Sequence, residues 1–143
     1  MTAPAIKGQC LCGAVQITVD GAHDPRPGVC HCRMCQRWTS GLFMCFEAQP
    51  DAVQVSGDVA RYASSSFSER AFCPVCGSNL WMRDTGDETA AYELMPGLFE
   101  DSKGWPLRSE IYTDCAMAPL EGDHPRATRA QYEAKNKFVE GDA

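Results

Sequence analysis

No stretch of this chain runs apolar for the roughly 20 residues that crossing a bilayer requires, and nothing near either end reads as a lipidation signal, so no membrane association is expected. Met1 to Lys7 lack a charged segment followed by an apolar run, so no export signal is visible and the expected location is cytoplasmic. Positive charge is in short supply. The 13 Lys and Arg face 19 Asp and Glu, for a net charge of -6 and a pI near 5.0. Without a Lys/Arg stripe to offset that sign, nucleic acid is not an expected partner. Repeats and low-complexity segments are absent, and helical patterning is scarce. The chain has 143 residues, 44% hydrophobic and 22% charged, which suits one soluble domain over 1–143 with a modest core.

What the chain has in excess is cysteine. Seven of its nine fall in three tight clusters, Cys10-Leu11-Cys12, Cys30-His31-Cys32-Arg33-Met34-Cys35 and Cys73-Pro74-Val75-Cys76. A tetrahedral structural zinc takes four soft ligands, and two short Cys pairs on distant segments supply them while clamping those segments together, a role that fits Cys10, Cys12, Cys73 and Cys76. The remaining cluster offers Cys30, Cys32 and Cys35. Three protein ligands with a vacant fourth position suit a catalytic zinc. Each thiolate weakens the Lewis acidity of the ion, so such a site favours holding a substrate thiolate over generating hydroxide. Disulfides or free buried thiols are the alternative reading, but the odd cysteine count and the lack of an export signal weigh against full pairing. The three-Cys cluster also admits a closed site that borrows a fourth ligand. His31 is a poor candidate for it, because a turn aiming Cys30 and Cys32 inward sends the intervening side chain elsewhere, to a hydrogen-bonding role beside the ligands. Cys45 reads as a small buried hydrophobe, and Cys115, in a more polar stretch, as a minority candidate for a ligand or a reactive thiol.

Short strands are expected over 14–19, 42–46, 52–56, 60–65, 79–82, 91–98 and 110–113, separated by turn signals such as Ser56-Gly57-Asp58 and Thr85-Gly86-Asp87. The fold class is therefore mostly antiparallel β. One short helical turn is expected over 32–38, with backbone amides facing the metal. A C-terminal helix is expected over 128–138, with Thr128 and Gln131 as its capping box and few apolar positions to anchor it. Gly77, just after a Cys pair, suits a left-handed backbone that lets amides donate to sulfur.

Four motifs occur in order: Gly8-Gln9-Cys10-Leu11-Cys12-Gly13-Ala14-Val15; Cys30 through Trp38; Arg61-Tyr62 with Ser64-Ser65; and Arg70-Ala71-Phe72-Cys73-Pro74-Val75-Cys76-Gly77-Ser78. Together they resemble the glutathione-dependent formaldehyde-activating enzyme family over 7–119, leaving 120–143 as a tail. The resemblance implies a zinc-bound antiparallel β architecture called a β-tent. It implies a structural zinc on Cys10, Cys12, Cys73 and Cys76 and a catalytic one on Cys30, Cys32 and Cys35. It also implies a carbon-sulfur lyase activity on S-hydroxymethylglutathione, formed from glutathione and formaldehyde. Two departures bear on substrate choice. Glu110 stands in Ser109-Glu110-Ile111-Tyr112 where many members carry His, and Ala118-Pro119-Leu120 lacks an expected Trp.

The expected partner is a small-molecule thiol, with glutathione the first candidate. An acidic protein needs a local basic patch to hold its carboxylates, and Arg33 and Arg37, which flank Cys35, are the nearest candidates, with a merely solvated helix face as the alternative. Trp38, Phe43, Phe46 and Trp81 suit the core better than a pocket wall. Ser64, Ser65 and Ser66 suit turn capping better than substrate binding. The contrasting functional reading is a zinc-stabilised binding module without catalysis. The oligomeric state is not legible.

Overall fold

The structure is a computed structural model that describes residues 4–118 and 120–140. Among these, the strands in chain order are β1 (Ile6–Gln9), β2 (Gln16–Val19), β3 (Gly28–Cys30), β4 (Phe43–Ala48), β5 (Val53–Ser56) and β6 (Ala60–Ala63). They continue with β7 (Ser68–Phe72), β8 (Asn79–Asp84), β9 (Tyr92–Leu94), β10 (Ser109–Ile111) and β11 (Arg126–Ala127). Two short helices are present, α1 (Arg33–Thr39) and α2 (Arg129–Glu133). No helix among the described residues is long and apolar enough to cross a membrane. The expected mostly β class is observed. Pro119, within one of the two departures, lies outside the described residues.

The chain divides into two compact units. The first comprises the residues up to Pro25 together with Cys45–Trp105. Here β2 alternates exposed and buried side chains, as its sequence predicts, and sits between β1 and β5 with Ile6 opposite Val19 and Ile17 opposite Val55. A second antiparallel set runs β4-β9-β8-β7-β6. Ile6, Val15, Ile17 and Val19 pack in one buried cluster with Phe46, Leu80, Trp81 and Leu94, and Cys10 and Cys73 belong to it. Phe46 makes edge-to-face contacts with Phe99 and Trp105, at centroid distances of 5.3 and 5.1 Å. Phe46 and Trp81 are therefore core residues. The Ser64 and Ser65 hydroxyls lie 3.2 and 2.9 Å from that of Ser68 and close the β6–β7 turn.

Gly57 meets a requirement that no other residue satisfies. Its φ is +95°, and a Cβ there would lie 2.0 Å from the Ala14 carbonyl oxygen, immediately before Val15 of the core. Gly57→Ala combines left-handed strain with a backbone clash, so we expect it to destabilise the first unit by about 3 kcal/mol or more. Thermal unfolding by circular dichroism checks this. A melting temperature within a degree or two of wild type would contradict it.

The second unit comprises Arg26–Met44 and the chain from Pro106 onward. Its strands pair in parallel: β10 lies between β3, with Ile111 opposite Cys30, and β11, with Glu110 opposite Arg126. Local alternation does not predict parallel pairs, because each partner is distant in sequence. Helix α1 starts where expected, with Cys32 as its N-cap, and ends at Ser40 in the left-handed region. Helix α2 has the expected Thr128–Gln131 capping box but spans only Arg129–Glu133, short of the expected 138. Residues 134–138 are all exposed, Phe138 included, so no buried side chain anchors a further turn.

Candidate metal centres and the buried glutamate

In the first unit Cys10 and Cys12 sit on the turn between β1 and β2, and Cys73 and Cys76 on the turn between β7 and β8. A register shift between Ala71 and Phe72 in the β7–β8 pair redirects the chain just ahead of Cys73. The four sulfurs all lie within 4.8 Å of one another. Cys10 Sγ is 3.7 Å from Cys12 Sγ, and Cys12 Sγ is 3.8 Å from Cys73 Sγ. A tetrahedron with zinc-sulfur bonds of about 2.3 Å has edges of about 3.8 Å, so the spacing fits zinc.

Backbone and hydroxyl donors surround these sulfurs. Val15 N–H donates to Cys10 Sγ at 3.2 Å. Gly77, at φ +76° as its position predicts, turns the chain so that Ser78 reaches back. The Ser78 hydroxyl accepts from Leu11 N–H at 3.0 Å and lies 3.2 Å from Cys76 Sγ, so one side chain ties the two turns together. Hydrogen bonds from the Ser78 hydroxyl and backbone hold the Cys76 thiol down at about 5. Desolvation raises Cys10, but the Val15 amide and the Cys12 and Cys73 sulfurs bring it below its ordinary value. At Cys12 the Ala14 amide favours the thiolate, yet desolvation and the other sulfurs outweigh it and push that thiol up to about 11. Four thiolates this close need a cation among them, which is the condition a structural zinc meets.

In the second unit Cys30 ends β3, Cys32 caps α1 and Cys35 lies in its first turn. Their sulfurs also fall within 4.8 Å of one another, and among the described residues no fourth His, Cys, Asp or Glu joins the group. Cys35 N–H donates to Cys32 Sγ at 3.4 Å, the amide-to-sulfur contact expected of this turn. Hydrogen bonding to the Cys32 and Cys35 sulfurs, with burial behind it, holds the Cys30 thiol well above its ordinary value. Cys115 sits in a 3-10 turn over Thr113–Cys115 and lies outside the sulfur group. Cys45 lies in β4 and joins neither group. Arg33 and Arg37 are exposed on α1, on either side of Cys35. Trp38 packs against Phe43 at 6.1 Å.

His31 points to a partner that the sequence left unassigned. Its Nε2 lies 2.8 Å from Glu110 Oε1, and both side chains are almost fully buried. The other carboxylate oxygen of Glu110 accepts from Arg126 Nε–H at 2.7 Å and pairs with His124 Nε2. Burial raises the Glu110 carboxyl, but the donors on His31, His124 and Arg126 outweigh it and hold the group below the usual carboxylate value. An ionised carboxylate only accepts, so both imidazoles present an Nε2–H to it. Buried Gln36 adds a brace, donating from Nε2 to the carbonyls of His31 and Cys115, both at 2.7 Å. Tyr112, at φ +56°, is a bulky residue in the left-handed region. Its hydroxyl donates to Glu133 Oε1 at 3.4 Å, and its ring lies 5.2 Å from that of Tyr132. Burial, then Glu133 and the Cys30 and Cys32 sulfurs, push the Tyr112 phenol upward, so it stays a neutral donor. Gln36 belongs to a motif that the sequence displays, but only the fold reveals what it bridges.

Three comparisons place these features among known proteins. The description "Glutathione-dependent formaldehyde-activating enzyme" belongs to the family that matches residues 5–115. An uncharacterized lyase of Schizosaccharomyces pombe is 40% identical over 112 residues, which cover 78% of this chain and 80% of that protein. A Rhodobacter sphaeroides protein of known crystal structure shares the fold, with a TM-score of 0.57 at 21% identity over 71% of this chain and 99% of that one.

Proposed function

The chain belongs to the glutathione-dependent formaldehyde-activating enzyme family, and from that premise we propose that it is a zinc-dependent carbon-sulfur lyase acting on the adduct of a small thiol and an aldehyde. S-hydroxymethylglutathione is the first substrate to test. The observation that carries the proposal is the contrast between the two sulfur groups: four thiols gathered in one, three in the other with no fourth His, Cys, Asp or Glu among the described residues. Cys10, Cys12, Cys73 and Cys76 hold a structural ion in this reading, and Cys30, Cys32 and Cys35 a catalytic one. Zinc bound to those three supplies a Lewis acid suited to a thiolate and an aldehyde oxygen.

The chain's own residues supply position and charge. In the cleavage direction the adduct hydroxyl gives up its proton, the carbon-oxygen double bond forms, and the carbon-sulfur electron pair leaves on sulfur, which takes up a proton to give the free thiol. Addition is the reverse. Arg33 and Arg37 offer guanidinium groups beside the site for the carboxylates of a substrate such as glutathione, offsetting the net negative charge of the protein. Cys35, buried in α1, keeps the sulfur group anchored while Cys30 and Cys32 approach from the strand end.

The test is magnetisation exchange by NMR between formaldehyde hydrate and S-hydroxymethylglutathione with zinc-loaded protein. The reaction also proceeds spontaneously, so the protein must raise the exchange rate above the rate without it. A rate equal to the spontaneous one overturns the proposal for this substrate and favours other thiol adducts or a zinc-stabilised binding module.

A further inference from the structure

The residues matched by the family end at 115, yet two of the three side-chain partners of Glu110 come from beyond that point. His124 and Arg126 both reach it. Their segment is firmly seated: Glu110 N–H donates to the Pro125 carbonyl at 2.7 Å, and β11 extends the parallel ladder of β10. Arg126 also donates from its two terminal nitrogens to the carbonyls of Gly122 and Leu120.

A buried carboxylate is costly unless its oxygens are satisfied, and here both oxygens are engaged. Arg126 alone would balance the charge. The third partner has a different significance, because His31 is the residue between Cys30 and Cys32. Its ring is held by Glu110, its N–H donates to the Ile111 carbonyl at 3.0 Å, and its own carbonyl accepts from Gln36. Side chain and backbone of this one residue are thus fixed at both ends, and the two flanking sulfurs inherit that placement.

We propose that Glu110 is a positioning residue for the three-sulfur site: clamped by His124 and Arg126 of the C-terminal segment, it holds His31 and so fixes the Cys30–Cys32 turn in its metal-binding arrangement. The inference rests on the reading that Cys30, Cys32 and Cys35 hold a metal. Groups that orient ligands in this way typically contribute 10- to 100-fold in metal affinity.

Cobalt titration of the full chain tests this, because thiolate-to-cobalt absorption reports each site separately from turnover. Wild type should take up two ions. Glu110→Gln, which keeps the shape and removes the charge, should weaken one of the two by about 10- to 100-fold, shift its absorption band and leave the four-sulfur site unchanged. His124→Leu removes one donor of the clamp and leaves the His31 and Glu110 side chains themselves unchanged, so it should move the same site in the same direction by less. It also keeps the test decisive if Glu110→Gln folds poorly. Unchanged affinity and band in His124→Leu and in folded Glu110→Gln would overturn the proposal, as would equal weakening of both ions. The outcome separates from that of the lyase reading: weakened cobalt binding in a protein that never accelerates formaldehyde exchange leaves positioning intact and removes the substrate. Accelerated exchange with unaltered cobalt binding does the reverse.

Discussion

Cys76→Ser is expected to abolish the folded state of the first unit at 37 °C. Structural zinc contributes about 10–16 kcal/mol of binding free energy in small zinc domains, comparable to or larger than the whole 5–15 kcal/mol stability of a typical domain. A serine hydroxyl stays protonated and is a poor ligand for a borderline-soft ion, so the substitution removes one of four bonds and leaves the Ser78 donors facing the wrong acceptor. The damage reaches the core directly, since Cys10 and Cys73 are 1% exposed and belong to the same buried cluster as Trp81 and Leu80. Zinc content should fall by about one ion per chain, with loss of near-ultraviolet dichroism from the buried aromatics. Val75→Ser is the control, one residue away and 74% exposed, and should lie within about 0.5 kcal/mol of wild type. A Cys76→Ser protein that melts within a few degrees of wild type would show that the four sulfurs do not carry a structural ion.

Both sulfur groups were legible in the sequence, because ligand spacing is a local property: a Cys pair separated by one or two residues must turn to face one point. The strands were legible where one face is buried, as in β2, whose Ile17 and Val19 alternate with polar neighbours. Others escaped for identifiable reasons. Strand β1 reads Ile-Lys-Gly-Gln and has one fully buried side chain, so its pairing with β2, and not its composition, makes it a strand. Strand β7 buries Ser68 and Arg70 together with Ala71, which inverts the usual hydrophobic signal. Strands β3 and β11 both pair in parallel with β10, contacts between segments roughly 80 and 16 residues apart that no window of sequence displays.

The tail shows the same limit from the functional side. Read locally, 120–143 has sparse apolar residues and one weak helix, and it suggests a loosely held appendage. Its anchoring is polar: His124 and Arg126 on Glu110, Thr113 Oγ1 on the Ala127 carbonyl at 3.2 Å, and Arg129 N–H on Asp114 Oδ1 at 2.6 Å. A signal was present in Glu110 itself. A carboxylate next to Ile111, in a stretch patterned as a strand, either faces water or needs cationic partners, and the downstream segment holds a His and an Arg two residues apart.

Cys32→Ala is expected to do the opposite of Cys76→Ser, leaving a folded protein whose acceleration of formaldehyde exchange has fallen by about 100-fold or more. The structural cost is bounded by what Cys32 does for the fold. It caps α1 by accepting from Cys35 N–H, and losing a cap typically costs about 1 kcal/mol. The turn keeps its other supports, since the His31 ring remains held by Glu110, its N–H by the Ile111 carbonyl and its carbonyl by the Gln36 side chain. The chemical cost is larger, because two sulfurs cannot hold the ion as three do, and the thiol and aldehyde then meet without a common centre to orient them. Exchange rates and thermal unfolding measured on the same preparations separate the two costs. A Cys32→Ala protein that unfolds as completely as Cys76→Ser would make the three sulfurs a second structural site. One that folds and still accelerates exchange at the wild-type rate would place the chemistry elsewhere. Only a stable, inactive variant assigns the two sulfur groups of this chain to different tasks, one to the fold and one to the reaction.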